Sequence, residues 1–333
     1  MEMTRARKAL IDLSSTSYYH LIARCVRRAF LCGEDEYTGK NFDHRRTWLV
    51  ERVKLLSSVF AIEIAAYAIM SNHYHLVVKV NRQQALGWPD NEVISRWYKL
   101  SKGSPIIDKQ RNGDTLCEAE QLLVSELIEK WRARLYDISW YMKNLNEFIA
   151  KKANKEDNCT GKYWEGRYKS QALLDETALL SCMAYVDLNP IRANMANNLE
   201  GSDFTSIQER IKHLQKTEGN ANDSKQNNEA AHQTKQPKSL KLFGSREHEN
   251  SIPFSLIDYL ELVDWTGRHV HPKKKGFIPK NVPDILVSLR IEEATWLNRV
   301  QNYGTHYGNF AGSKTVLRAH AAKNDVSWYK GVG

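Results

Sequence analysis

Two short segments hold the side chains best suited to chemistry. The first is His73-Tyr74-His75. Side chains alternate along a strand, so His73 and His75 project from one face and Tyr74 from the other. Two imidazoles placed that way can grip one divalent cation, while Tyr74 packs in a core. An isolated triplet of this kind reads equally well as a pair of exposed or core histidines. The second segment is Ala184-Tyr185-Val186-Asp187-Leu188-Asn189-Pro190. On a helix Tyr185 and Asn189, four apart, share a face, and Asp187 lies off it. Tyr185 can serve as a nucleophile and Asn189 can lend a neutral oxygen to a cation. Taken alone, the segment is a core tyrosine on a helix that Asn-Pro stops.

A second His-x-His, His269-Val270-His271, is followed by Pro272-Lys273-Lys274-Lys275. Gly267 and Pro272 indicate a loop there, and no carboxylate partner stands nearby in the sequence. No second metal site is expected; the lysine run reads as a solvated or phosphate-contacting face.

The elements that must position these residues follow from periodicity. Leu21 to Val26 is a short apolar run and reads as a first strand. From Arg46 to Phe60, Leu49, Val53, Leu56 and Phe60 recur at helical spacing. Ala61 to Met70 is an almost continuous apolar run, a buried strand. After a turn at Ser71-Asn72, His73 to Val80 reads as the next strand. Glu92 to Leu100 starts a helix. Ser101 to Thr115, with Gly, Ser, Pro, Asp and Asn, reads as a loop. Ala119 to Ala150 is a long helical region broken near Tyr136-Asp137, and Lys151 to Thr160 a polar loop. Tyr163 to Leu174 is an aromatic strand or hairpin. Asp175 caps a helix that runs to about Asn189, where Pro190 stops it. This order predicts an α+β layer fold, an antiparallel-rich sheet with helices packed on it.

Composition bounds the rest. The chain has 333 residues with 48 Lys+Arg against 39 Asp+Glu, a net +9. At about 150 residues per domain, two domains are expected. An apolar content of 42% excludes wholesale disorder. No stretch approaches the ~20 apolar residues of a membrane span, and Met1 to Asp12 lacks the apolar centre of a signal peptide. The five cysteines include no CxxC pair, so neither a disulfide framework nor a cysteine zinc site is expected. The basic balance favours nucleic acid as a partner. Lys216 to Lys238 contains no Val, Ile, Leu, Met or aromatic residue, so 216–238 is expected to be a flexible linker. It separates 1–215 from an accessory unit, 239–333, with Trp265, Trp296, Tyr303, Tyr307 and Trp328 available for its core.

Joined in order, the motifs resemble a known family. Tyr67-Ala68-Ile69-Met70-Ser71-Asn72-His73-Tyr74-His75-Leu76-Val77-Val78 resembles the HUH strand pair of single-tyrosine transposases. Tyr163-Trp164-Glu165-Gly166-Arg167-Tyr168, followed by Tyr185-Val186-Asp187-Leu188-Asn189-Pro190-Ile191-Arg192, is similar to the downstream block of REP-associated tyrosine transposases. The resemblance covers about Ser17 to Gln215. It departs from compact members in the longer stretch from Asn81 to Ala150 and in everything beyond Lys216.

The resemblance implies a ferredoxin-like HUH nuclease core. His73 and His75 match the metal-binding histidines, Tyr185 the nucleophile, and Asn189 the Gln or Asn that completes the metal site. The implied cofactor is Mg²⁺ or Mn²⁺. The implied reaction is cleavage and rejoining of single-stranded hairpin DNA through a 5′-phosphotyrosine and a free 3′-OH. A phenol ionises only near pH 10 in water, so such a nucleophile needs activation. One phosphoester replaces another, so no ATP is called for, and no P-loop motif occurs. A cytoplasmic bacterial protein, nucleoid-associated when bound to DNA and acting as monomer or homodimer, is implied as well.

Several basic residues are placed to follow DNA: Arg5, Arg7 and Lys8 in an N-terminal arm, Arg24, Arg27 and Arg28 around the first strand, and Lys162, Arg167 and Lys169 later. Trp164 and Tyr168 can stack on bases, although Trp164 suits a core better. A contrasting reading is a domesticated protein that binds DNA or RNA hairpins without cutting. A third is an unrelated His-x-His hydrolase using activated water, which has no use for Tyr185.

Overall fold

A computed structural model describes residues 10–26, 31–34, 39–219, 236–244, 250–270 and 283–331. The fold is mixed α+β. A five-stranded sheet is formed by β1 (Tyr18–Arg24), β2 (Ile62–Ile69), β3 (His73–Val80), β4 (Lys169–Leu173) and β5 (Phe310–Ala311), in the order β2-β3-β1-β4-β5. β1 runs antiparallel to both β3 and β4, and β5 parallel to β4. The first four strands have the split βαβ order of a ferredoxin-like core.

Alternation sorts this sheet. Tyr19, Leu21 and Ala23 on β1, with Tyr74, Leu76 and Val78 on β3, form a buried apolar face. His20, His73, His75 and Gln171 fall on the opposite one. A tight turn at Ser71-Asn72 joins β2 to β3, with Met70 N donating to the His73 carbonyl at 2.9 Å.

Thirteen helices are present among the described residues: α1 (His44–Val59), α2 (Arg82–Leu86), α3 (Asp90–Tyr98), α4 (Pro105–Arg111), α5 (Glu118–Arg134), α6 (Ile138–Glu156), α7 (Glu176–Asp187), α8 (Asn189–Arg192), α9 (Ser206–Gly219), α10 (Leu256–Val270), α11 (Asp284–Ser288), α12 (Glu293–His306) and α13 (Lys314–Lys323). α7 positions the candidate tyrosine. Asp175 caps it by accepting from the Ala178 amide at 2.8 Å, and its other oxygen accepts from Ser313 N at 2.6 Å. Nine of its twelve residues are buried, so α7 is a core helix and not a surface one.

The chain divides into two compact units. One comprises Met1–Arg46, Ile64–Lys79 and Trp164–Gly333; the other Thr47–Glu63 and Val80–Tyr163. In the second unit Trp97 stacks on Trp131 at 5.8 Å and Phe60 meets Tyr141 edge-on at 5.4 Å. Buried Arg132 bonds Asp90 and Glu129 there.

This division corrects the expected one. Residues 239–333 do not form a unit of their own next to 1–215. Phe310 and Ala311 pair with β4 at one sheet edge. Lys241 N donates to the Ile64 carbonyl at 2.7 Å at the other edge. Unpaired strand edges attract partners, and this chain covers its own with residues distant in sequence. Of the expected linker, 216–219 end α9, Gln236 is buried and bonded both ways with Phe243, and 220–235 lie outside the described residues.

Local expectations were corrected in smaller ways. Ser101 to Thr115 contains α4, which Pro105 starts, since a first-turn proline gives up no helical bond. α6 continues to Glu156 through the expected polar loop. The aromatic segment before β4 contributes only the Cys25–Trp164 bridge. After α7 ends at Asp187, with Leu188 as its C-cap, Asn189 opens α8 with Pro190 in its first turn, so Pro190 sits at the start of a helix. Trp265, Trp296, Tyr303 and Tyr307 are buried as expected of core residues, but Trp328 is 65% exposed. All five cysteines are free thiols.

Candidate active site

The two candidate segments meet in the first unit. His73 and His75 project from the same face of β3, with ring centroids 4.9 Å apart. Tyr74 points the other way, buried, and meets Trp164 edge-on at 5.7 Å. Trp164 is only half-buried. Tyr185 comes from α7, its ring centroid 5.7 Å from that of His75 and nearly perpendicular to it. Asn189 lies one turn on, its Nδ2 3.1 Å from His75 Nε2. His75 and Asn189 are 114 positions apart in sequence.

The structure adds groups that the sequence pattern did not single out. His20 on β1 is buried, with its Nε2 2.9 Å from His75 Nδ1 and its ring stacked on that of His75. Tyr303 on α12 stacks on Tyr185 at 5.1 Å and donates its hydroxyl to Gln171 Oε1 at 2.8 Å. The Arg192 guanidinium stands over the Tyr185 ring at 4.7 Å, while its Nη2 donates to the Gln301 carbonyl. Gly304 lies so close that a Cβ there would stand 3.2 Å from the Tyr185 hydroxyl. A lone histidine on a strand carries no motif, and residues beyond 300 have no periodic link to a helix near 185. Strand alternation could have marked His20 only once the β1–β3 register was known.

The electrostatics favour neutral imidazoles. Burial pushes His20 down to about 4, against a hydrogen bond to Gln171 that raises it. Burial, with the nearby Arg24 charge, pushes His73 down to about 4. His75 is held well below its usual range by burial, then by His20, His73, Arg192 and Arg24. Uncharged imidazoles keep a lone pair for a cation.

Among the described residues no group of three or more His, Cys, Asp or Glu side chains is placed to hold a metal ion. The donor set is instead two imidazoles and one amide. His73 Nδ1 is 2.6 Å from Asn72 Oδ1, which leaves its Nε2 for a ligand; His75 Nδ1 faces His20, and its Nε2 meets Asn189 Nδ2 at 3.1 Å, so a turn of that amide would open it to a ligand. Such a set suits a divalent cation that takes its remaining ligands from water or phosphate oxygens.

Asp187, set aside on the helical wheel, faces away into a separate buried network. It accepts from Ser206 Oγ at 2.5 Å, Tyr259 OH at 2.6 Å and Ile207 N at 3.2 Å. Arg167, Lys169 and Lys162 are exposed, and Lys169 shares the sheet face of Gln171. Arg24 is exposed at the end of β1. Arg5, Arg7, Lys8, Arg27 and Arg28 lie outside the described residues, as does His271 with the lysines after it. His269 sits in the last turn of α10 and not in a loop, its Nδ1 2.8 Å from the Trp265 carbonyl. No helix among the described residues is long and apolar enough to cross a membrane.

No family model matches the sequence, and no curated protein matches it. One solved structure that does match is described as a REP-associated tyrosine transposase bound to a REP hairpin. The match has 9% identity and a TM-score of 0.38, over 63% of this chain and 86% of that one. The superposition is loose, and no residue role is transferred from it.

Proposed function

We propose that the chain is a cation-dependent tyrosine nuclease and strand transferase acting on single-stranded, hairpin-forming DNA. One observation carries the proposal: folding brings Tyr185, His75 and Asn189, from separate elements, into a single cluster, with the phenol 5.7 Å from the imidazole by ring centroids. A water-activating hydrolase has no use for a tyrosine at that place.

His73 and His75, through Nε2, and Asn189, turned to present Oδ1, are the residues that would hold a divalent cation. When bound, the cation supplies positive charge that polarises the scissile phosphate. Tyr185 is the nucleophile. Its oxygen forms a bond to phosphorus as the bond from phosphorus to the departing 3′ oxygen breaks. The products are a 5′-phosphotyrosine and a strand ending in 3′-OH. The bond count is unchanged, so the reverse attack by a 3′-OH rejoins strands. Arg192 places a guanidinium beside the phenol, where the phosphate must approach. Lys169 and Arg167, both exposed, offer charges for the DNA path, as do Arg5, Arg7 and Lys8.

The test is incubation with labelled single-stranded hairpins and Mn²⁺, then denaturing electrophoresis. A covalent protein–DNA adduct that maps to Tyr185 is the expected result. Binding without adduct or cleavage would instead favour a hairpin-binding protein, and cleavage that persists in Tyr185→Phe would favour activated water.

A further inference from the structure

The cluster continues behind the two candidate ligands. On the sheet, Gln171 of β4 lies directly across from His20 of β1, and His20 is diagonal to His75 of β3. All three side chains share the face that carries His73. Tyr303 and the Gly308 carbonyl reach Gln171 from the far end of the chain.

The donors and acceptors along this row can be assigned in one direction. Without a cation Asn189 Nδ2 donates to His75 Nε2, which is therefore an acceptor; the same lone pair faces a cation once the amide turns. A neutral imidazole that accepts at Nε2 carries its hydrogen on Nδ1. His75 Nδ1–H therefore donates to His20 Nε2, 2.9 Å away. His20 then carries its own hydrogen on Nδ1 and gives it to the Gln171 side chain, to which it is bonded. Gln171 Nε2 is committed to the Gly308 carbonyl at 2.6 Å, so its Oε1 is the acceptor, shared with the Tyr303 hydroxyl. Every polar atom in the row is satisfied by this assignment, and the reverse direction fails at Gln171, whose Nε2 is given to the Gly308 carbonyl.

We infer that His20 and Gln171 are positioning residues that lock His75 in its Nδ1–H tautomer and aim its Nε2 lone pair at the cation site. This deepens the proposed function and rests on its metal-site reading. Partners behind a ligating histidine fix its tautomer and ring orientation, and their loss typically costs about 10–100-fold in metal affinity. Tyr303 and Gly308 tie the row to residues near the C-terminus, so that segment contributes to the site through Gln171.

The experiment uses the full chain, labelled with ¹⁵N at histidine and free of metal. Two-bond ¹H–¹⁵N correlation spectra at neutral pH report which nitrogen of His75 is protonated. The wild type should show the Nδ1–H form. His20→Leu and Gln171→Leu should lose or mix it, and should weaken Mn²⁺ binding in direct titration by about 10–100-fold for His20→Leu. His20→Gln should restore both, because its amide oxygen falls about where Nε2 stood and can accept from His75. Should His20→Leu fail to fold, Gln171→Leu and His20→Gln decide the matter. An Nε2–H form of His75 in the wild type, or an unchanged tautomer and affinity in the Leu variants, would overturn the inference. The double variant His73→Ala/His75→Ala separates the two ideas. Wild-type Mn²⁺ affinity in that variant would remove the metal site, while the tautomer result would still stand or fall on the spectra.

Discussion

Two polar clusters flank α7, two residues apart in sequence, and they are built on opposite terms. Around Tyr185 stand imidazoles held neutral, an amide, a stacked tyrosine and the Arg192 guanidinium, and His73, Tyr185 and Asn189 are half-buried. Around Asp187 they are fully buried, and the carboxylate is clamped by donors from α9 and α10, with Arg210 charged nearby. Arg210 in turn donates to the Ala65 and Lys241 carbonyls. The first arrangement leaves lone pairs and a hydroxyl for an incoming group. The second is closed to solvent and serves to bind α7, α9, α10 and β2 together. The two clusters are thus separated by the roughly 200° through which a helix turns over two residues.

The sharpest break of this comparison is Tyr185→Phe. It should cut cleavage and adduct formation by more than about a thousandfold, since the attacking atom is gone. The urea midpoint should barely move, because the ring still stacks on Tyr303.

Asp187→Ala should do the reverse. It strands the Ser206 and Tyr259 hydroxyls and the Ile207 amide in the core, and leaves the Arg210 charge uncompensated. A loss of about 3 kcal/mol is expected, read from urea denaturation.

The clusters also oppose each other with pH. The histidines have folded values below their ordinary 6.5, so their part of the stability is full above about pH 6.5 and lost as pH falls towards about 4. For fully buried His20 this is on the order of 2–3 kcal/mol. Burial pushes Asp187 the other way, up to about 6 against its hydrogen bonds. Its part is full below pH 3.8 and lost as pH rises through about 6. Denaturation midpoints across pH 4 to 7 should therefore fall more steeply with acid in Asp187→Asn than in the wild type. A parallel profile would show that the two terms do not offset.

The mildest change sits between the clusters and the chain end. Gly304→Ala should stabilise α12 by up to about 1 kcal/mol, the usual gain for alanine over glycine in a helix. Its methyl would crowd the Tyr185 hydroxyl at 3.2 Å and should slow cleavage severalfold with little change in DNA affinity. Faster cleavage would show that Gly304 does not restrain the phenol.

Much of the site was legible early because it rests on short periods. The two-residue repeat of β3 puts His73 and His75 on one face, and the helical repeat places Tyr185 one turn before Asn189. Asp175 announced α7 through a cap that needs only three residues to form. The expected domain boundary failed for a related reason. A polar stretch marks chain that cannot enter a core, but it does not say where the chain resumes, and here it resumes on both edges of the same sheet.

By itself the sequence determined which residues alternate, where helices begin, and that a histidine pair on one strand face and a helical tyrosine exist. Only the tertiary structure decided that they meet, that His20 and Gln171 stand behind His75, and that Tyr303 and Gly304 close on Tyr185. The physical reason is range. Side-chain direction is set by bonds within a few residues, whereas strand register and helix docking are set by the burial of surfaces more than a hundred residues apart, and no local pattern encodes which surfaces those are.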